Sequence, residues 1–290
     1  MLLFFDDEER FAHELAAAAG LAPHRITRHR FPDGELKLTL PARVAERAVV
    51  LRSLHHPNEK LVELLLAAQT ARELGARTLV LVAPYLGYMR QDIAFNAGEA
   101  VSQKIVGRFL STLFETVVTV DPHLHRTGEL RTAVPAAHAM AVATAPLLAP
   151  FLARRVDHPL LLGPDEEAEQ WVRAAAGQRG EWALCRKTRN GDRDVEVALP
   201  ALDVRGRDVV LIDDIASTGR TLLRAVDGLW SAGAANIDVF VTHAVFVGDA
   251  LDVLRAAGVG SIWSADTVPH PTNAISVVPL LADALRRLPK

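Results

Sequence analysis

The 290-residue chain contains one cysteine, Cys185. A lone thiol excludes an intrachain disulfide framework and a cysteine-built zinc site, and it fits a reducing compartment, so a cytoplasmic location is expected. Cys185 itself reads as a small buried strand residue. The chain also lacks a basic excess: 32 Lys and Arg stand against 35 Asp and Glu, for a formal net charge of -3. A nucleic-acid partner is thereby disfavoured, while local Arg and Lys can still hold a small anion. Long apolar runs are missing too. Stretches such as Leu79 to Pro84 are strand-sized, far from the roughly 20 residues that span a bilayer, so no membrane partner is expected. Met1 to Phe5 is short, has no basic flank and runs straight into Asp6, Asp7, Glu8 and Glu9; it reads as a first strand rather than a signal peptide. What is present is ordinary: 50% hydrophobic and 23% charged residues, enough for a sizeable core in one large or two medium domains.

Strand-like runs recur at Val49 to Leu51, Leu79 to Val82, Val117 to Val120, Leu160 to Leu162, Val209 to Ile212 and Ile237 to Val241. Helical patterns separate most of them, notably Asn58 to Leu74 and Ser102 to Phe114. This alternation predicts an α/β fold with mainly parallel sheets flanked by helices. A faint echo links two parts of the chain. Ala48 to Leu51, a helix ending Leu74-Gly75-Ala76 and the strand at Leu79 are repeated as Val209 to Ile212, a helix ending Ala232-Gly233-Ala234 and the strand at Ile237. Two similar domains explain the echo, with a boundary near the Ala/Pro-rich segment 133–150; we assign 1–140 and 141–290, the final helix packing back on the first.

The most informative segment is Val209 to Thr221. An apolar run ends in Asp213 and Asp214, passes through Ser217, Thr218 and Gly219, and enters a helix expected over Thr221 to Ala232. The turn lies at a helix N-terminus, where unpaired N–H groups and the helix dipole favour a phosphate and the hydroxyls of Ser217, Thr218 and Thr221 add donors. Asp213 and Asp214 suit ribose hydroxyls or a hard cation better than the phosphate.

This pattern resembles the phosphoribosyl-pyrophosphate (PRPP) motif of type I phosphoribosyltransferases and PRPP synthetases. Further segments, in order, narrow the resemblance to the PRPP synthetases. They are Phe31-Pro32-Asp33-Gly34-Glu35; Pro84-Tyr85-Leu86-Gly87-Tyr88-Met89-Arg90-Gln91-Asp92; Asp121-Pro122-His123; Gly163-Pro164-Asp165; and Lys187-Thr188-Arg189 with Asn190-Gly191 beyond. The resemblance implies two phosphoribosyltransferase-like domains. It implies that Phe31, Asp33 and Glu35 contact the adenine of ATP bound by a neighbouring subunit, so that a homo-oligomer is expected. Arg90, Gln91 and His123 would bind the nucleotide, His123 and Asp165 magnesium, and Lys187 and Arg189 the transferring group. Asp213, Asp214, Ser217, Thr218, Gly219 and Thr221 would hold ribose 5-phosphate.

The implied activity is ribose-phosphate diphosphokinase: Mg²⁺-dependent transfer of the diphosphoryl group of ATP to O1 of ribose 5-phosphate, giving PRPP and AMP. Plain chemistry agrees in part. Arginine's planar fork suits phosphate oxygens, and residues two apart on an extended chain share a face, as Lys187 and Arg189 do. Three departures from the family's wording stand out: Arg220 in the cradle, Ile93-Ala94-Phe95 after Asp92, and Glu166-Glu167-Ala168-Glu169 after Asp165. Two alternatives stay open on residues alone, a type I phosphoribosyltransferase and a non-catalytic homologue.

Overall fold

The structure is a computed structural model that describes residues 1–124, 128–178, 180–189, 195–200 and 202–289; side chains of 187–189 and 195–197 lie outside the description. The chain divides into two compact units, 1–143 with 277–290, and 144–276.

The first unit contains β1 (Leu2–Phe5), α1 (Glu9–Ala19), β2 (Pro23–Arg30), β3 (Leu36–Thr39), β4 (Arg47–Leu51), α2 (Pro57–Glu73), β5 (Thr78–Ala83), α3 (Ser102–Leu113), β6 (Thr116–Val120), α4 (Leu130–Ala133) and β7 (His138–Val142). The second contains α5 (Ala145–Leu152), β8 (Leu160–Gly163), α6 (Glu169–Ala176), β9 (Trp182–Leu184), β10 (Arg186–Arg189), β11 (Val195–Ala198), β12 (Asp208–Ala216), α7 (Arg220–Ser231), β13 (Asn236–Ala244), α8 (Ala250–Ala256), β14 (Ile262–Ala265) and β15 (Asn273–Ile275). The chain closes with α9 (Val278–Arg287), which packs on α1. The first unit ends at Ala143 rather than at 140, because β7 is needed as the last strand of its sheet.

The two sheets share one plan. The first runs β3-β2-β1-β4-β5-β6-β7 and the second β15-β14-β13-β12-β8-β9. With β3 set aside, the order β2-β1-β4-β5-β6-β7 matches β9-β8-β12-β13-β14-β15 strand for strand, and every neighbouring pair in this shared set is parallel. The sequence echo is the βαβ unit β4-α2-β5 set against β12-α7-β13. Parallel strands sandwiched by helices are buried on both faces, which is why β5 and β8 read as unbroken apolar runs. Each unit has its own apolar core, one around Leu3, Val50, Leu81 and Leu110, the other around Leu162, Leu211, Val239 and Leu229.

In such a sheet, ligands collect where the strand order reverses, at the carboxyl ends of the strands on either side. That crevice falls between β1 and β4 in the first unit and between β8 and β12 in the second.

Candidate active site

Strand β12 is longer than the sequence pattern indicated. Apolar residues stop at Ile212, yet parallel pairing with β13 continues through Asp213 opposite Val241, Ile215 opposite His243 and Ala216 opposite Ala244. Asp213 and Asp214 therefore lie inside the strand, and consecutive strand residues point to opposite faces. Their carboxyl groups nonetheless interact through a side-chain hydrogen bond. Asp214 is 1% exposed, and its N–H donates to Asp213 Oδ1 at 2.9 Å. Burial, followed by the nearby carboxylates of Asp214 and Asp165, raises the pKa of Asp213 well above the ordinary aspartate value.

Asp165 follows β8 directly and is buried. Its Oδ1 accepts from the N–H of Glu167 at 3.0 Å. That bond starts a single 3-10 turn and sends the acidic loop outward: Glu166, Glu167 and Glu169 are exposed, while Ala168 is buried. The crevice brings together the carboxyl groups of Asp165, Asp213 and Asp214, oxygen donors that suit a hard cation. No group of three or more His, Cys, Asp or Glu among the described residues is arranged to hold a metal alone. Magnesium fits this chemistry, since it is usually held by one or two carboxylates together with substrate phosphates.

The cradle begins only at Ser217. Gly219 takes the left-handed conformation, φ +69°, and serves as N-cap of α7 without any side-chain capping bond. A Cβ there would stand 3.5 Å from Leu254, so the backbone angle rather than space calls for glycine. Helix α7 starts at Arg220, one residue before the expected Thr221. Its uncapped N–H groups are free to meet an anion. The loop after β13 supports the turn: Val245 N–H donates to Ala216 O at 3.1 Å and Val247 N–H to Ser217 O at 3.2 Å. Thr218 is exposed; Ser217 and Thr221 are half-buried.

Lys187 and Arg189 lie on β10, which pairs antiparallel with β11 in the register Lys187 to Val197 and Arg189 to Val195. The hairpin forms a sheet of its own. Its tip at Asn190-Gly191 lies outside the described residues, as does His125.

In the first unit, Arg90 and Gln91 follow β5, and His123 follows β6, so topology brings them to the carboxyl ends of adjacent parallel strands. Arg90 is exposed. Gln91 donates from Nε2 to Ile93 O at 3.0 Å. The loop carrying them is held by close backbone approach: Leu54 N–H donates to Tyr85 O at 2.7 Å, and a Cβ on Gly87 would stand 2.6 Å from Leu54 O. Phe31 to Glu35 form the tip of the β2–β3 hairpin, every residue exposed, with Gly34 at φ +97°. Gly34 N–H donates to Phe31 O at 2.9 Å, and the Phe31 ring meets His29 edge-on at 4.8 Å. Strand β2 stands three intervals from β5 in the sheet, roughly 14 Å at the usual strand spacing. The structure does not bring Phe31, Asp33 and Glu35 beside Arg90, Gln91 and His123 of the same chain.

One cluster escaped the sequence reading. Arg52, just after β4, is fully buried; it reaches Asp7 Oδ1 at 2.7 Å, Glu8 Oε2 at 3.1 Å and Glu63 Oε2 at 2.5 Å. Its guanidinium lies 4.5 Å from the Phe5 ring centroid. Burial pushes the Glu8 carboxyl up to about 7, the Lys60 ammonium down to about 8 and the His55 imidazole down to about 4. Asp7, Arg52, His55, Lys60 and Glu63 line a cleft at the strand-order reversal of the first unit. An arginine closing an apolar strand run was the only available signal.

Comparison with known proteins settles the lineage. Residues 1–113 match the family model described as the N-terminal domain of ribose phosphate pyrophosphokinase, and 147–252 match the phosphoribosyl transferase domain. A ribose-phosphate pyrophosphokinase of Methanopyrus kandleri is 37% identical over 284 residues, 96% of this chain and 94% of that protein. One from Halobacterium salinarum is 37% identical over 289 residues, 98% of this chain and 100% of the relative. The chain belongs to the ribose-phosphate pyrophosphokinase family. A crystal structure of phosphoribosylpyrophosphate synthetase from Mycobacterium smegmatis superposes with a TM-score of 0.84 at 25% identity, covering 98% of this chain and 97% of that one. Ribose-phosphate pyrophosphokinases are diphosphotransferases, so the chain is an enzyme of that class. The phosphoribosyl transferase match includes both Asp165 and the 213–221 segment. No described helix is long and apolar enough to cross a membrane.

Proposed function

We propose that this protein makes PRPP, transferring the β,γ-diphosphoryl group of ATP to O1 of ribose 5-phosphate with release of AMP. The observation that carries this reading is the second-unit crevice, where an uncapped α7 N-terminus adjoins carboxylates at the carboxyl ends of β8 and β12. An anionic group is favoured at the first and a polyhydroxyl or cation at the second. Ribose 5-phosphate carries both functions in one molecule. Its phosphate takes Ser217, Thr218, Gly219 and Thr221, and its hydroxyls take Asp213 and Asp214.

The 1-hydroxyl attacks the β-phosphorus of ATP; the O1–Pβ bond forms, the bond from Pβ to the α,β-bridging oxygen breaks, AMP leaves with that oxygen, and the hydroxyl proton passes to solvent. Such transfers depend on positioning and charge stabilisation more than on a strong base. Arg90 and Gln91 orient the nucleotide, and Lys187 and Arg189 neutralise charge on the α- and β-phosphates. Magnesium supplies charge neutralisation on the phosphates, with His123 and Asp165 each proposed as a ligand. Phe31, Asp33 and Glu35 read the adenine of ATP held by a neighbouring copy, which makes the working enzyme a homo-oligomer; their separation from Arg90 in the sheet supports that arrangement.

The test is to incubate the purified protein with ATP, Mg²⁺ and ribose 5-phosphate and to follow AMP and PRPP. Absence of both products from folded protein overturns the proposal. A Lys187→Ala variant should lose turnover while binding ribose 5-phosphate nearly as well, because its charge acts on the transferring group.

A further inference from the structure

Arg220 opens α7 immediately after Gly219, and Arg224 follows one turn later. Residues four apart share a helix face. Arg220 is exposed and Arg224 half-buried. Neither side chain forms a hydrogen bond or ion pair with any described residue, and Nη1 of Arg224 is buried without a partner among them. The arginines lining the first unit's cleft behave differently. Arg28, Arg30 and Arg52 are each matched to carboxylates, of Asp6 and Glu63, of Glu59, and of Asp7, Glu8 and Glu63 respectively.

The two free guanidinium groups are also badly placed for stability. Like charges four apart on a helix repel, and cations near a helix N-terminus oppose the macrodipole. No acidic residue in the first turn of α7 offsets them. An anion at the helix start relieves both penalties together.

Direction agrees with this. Helical side chains lean toward the N-terminus, which directs a side chain at position 224 toward the first turn of α7, where the cradle lies. The position one turn further along, Gly228, faces Leu199, 3.5 Å from where a Cβ would stand. Leu199 directly follows β11, so this side of α7 is the side on which the β10–β11 hairpin packs.

We propose that Arg220 and Arg224 form a cationic wall on the hairpin side of the cradle and clamp the phosphate of the sugar substrate. This rests on the ribose 5-phosphate reading above and extends it. Backbone N–H groups alone recognise an anion; two added guanidinium forks select the doubly charged phosphate ester over the neutral sugar.

Isothermal titration of ribose 5-phosphate into the full-length protein without ATP tests this, with Arg220→Gln, Arg224→Gln and Arg224→Lys alongside wild type. Each glutamine variant should weaken ribose 5-phosphate binding by about tenfold or more, the scale of one lost charge-assisted hydrogen bond. Arg224→Lys should recover part of that loss, and the KM for ATP should stay level. Inorganic phosphate, used as a competitor, should lose affinity in the same variants. Binding of ribose 5-phosphate within twofold of wild type in both glutamine variants overturns the clamp, as does a lower melting temperature in Arg224→Gln with unchanged affinity. Wild-type protein that binds no ribose 5-phosphate overturns the clamp and the sugar assignment together.

Discussion

Gly87→Ala probes whether the loop after β5 is a rigid support for the nucleotide. The added methyl would sit 2.6 Å from Leu54 O and 3.2 Å from Pro57 Cβ. Both neighbours are stiff, one a backbone carbonyl and the other a proline ring at the start of α2. Reaching ordinary contact distance requires a shift of roughly 0.8 Å, with an overpacking cost of about 1–3 kcal/mol. The loop is already fixed there by the Leu54 N–H bond to Tyr85 O and the Tyr85 N–H bond to Ser53 Oγ, so the strain moves Gly87 and the residues after it. Arg90 is three residues on. A misplacement approaching 1 Å in a positioning group costs up to about a hundredfold in rate or affinity. We expect the KM for ATP to rise about tenfold or more, the KM for ribose 5-phosphate to stay level, and the melting temperature to fall by about 2–4 °C per kcal/mol lost. Steady-state kinetics against each substrate and a thermal melt provide the readouts. An unchanged melting temperature would show that the loop yields freely, and a normal KM for ATP beside a lowered melting temperature would refute Arg90 and Gln91 as nucleotide groups.

Arg52→Ala should cost about 3 kcal/mol, because buried Glu8 loses its guanidinium partner and Glu63 keeps only Arg28; urea unfolding measures it, and a loss below about 1 kcal/mol contradicts the network. Asp213 holds its proton more tightly folded than unfolded, so the ligand-free protein should lose stability as pH rises through the raised pKa. Asp165→Asn removes one cause of that shift and should flatten the decline, read from melting temperatures between about pH 5 and about pH 8. Burial pushes the Cys185 thiol up to about 12, so iodoacetamide at mildly alkaline pH should label it only after unfolding; rapid labelling of native protein would contradict its burial.

Strands β1, β4, β5, β6, β8, β12 and β13 and helices α2, α3 and α7 were legible because apolar runs and glycine turns are local signals, whereas β2 and β7, with few apolar residues in a row, were not. Other features were not legible either. Strands β9, β14 and β15 are three or four residues long, too short for a period to register, and they exist through pairing with β8, β13 and β14 respectively. Asp213 and Asp214 read as the end of the strand, whereas tertiary pairing with β13 carries it on to Ala216. Arg52 could not be recognised at all, since its partners Asp7, Glu8 and Glu63 come from distant segments that only the fold assembles. The outward turn of Glu166 to Glu169 likewise depends on one capping bond from Asp165, which composition does not reveal.

The repeated strand order gives the chain two crevices of one design, and their charges are handled in opposite ways. At β1 and β4 the protein fills the space with its own guanidinium, Arg52, and matches it to carboxylates. At β8 and β12 it leaves Asp165, Asp213 and Asp214 crowded and places on α7 two arginines without counter-ions among the described residues. One strand order thus supports two electrostatic solutions, one in which the chain answers its own buried charge with an arginine and one in which carboxyl groups face one another.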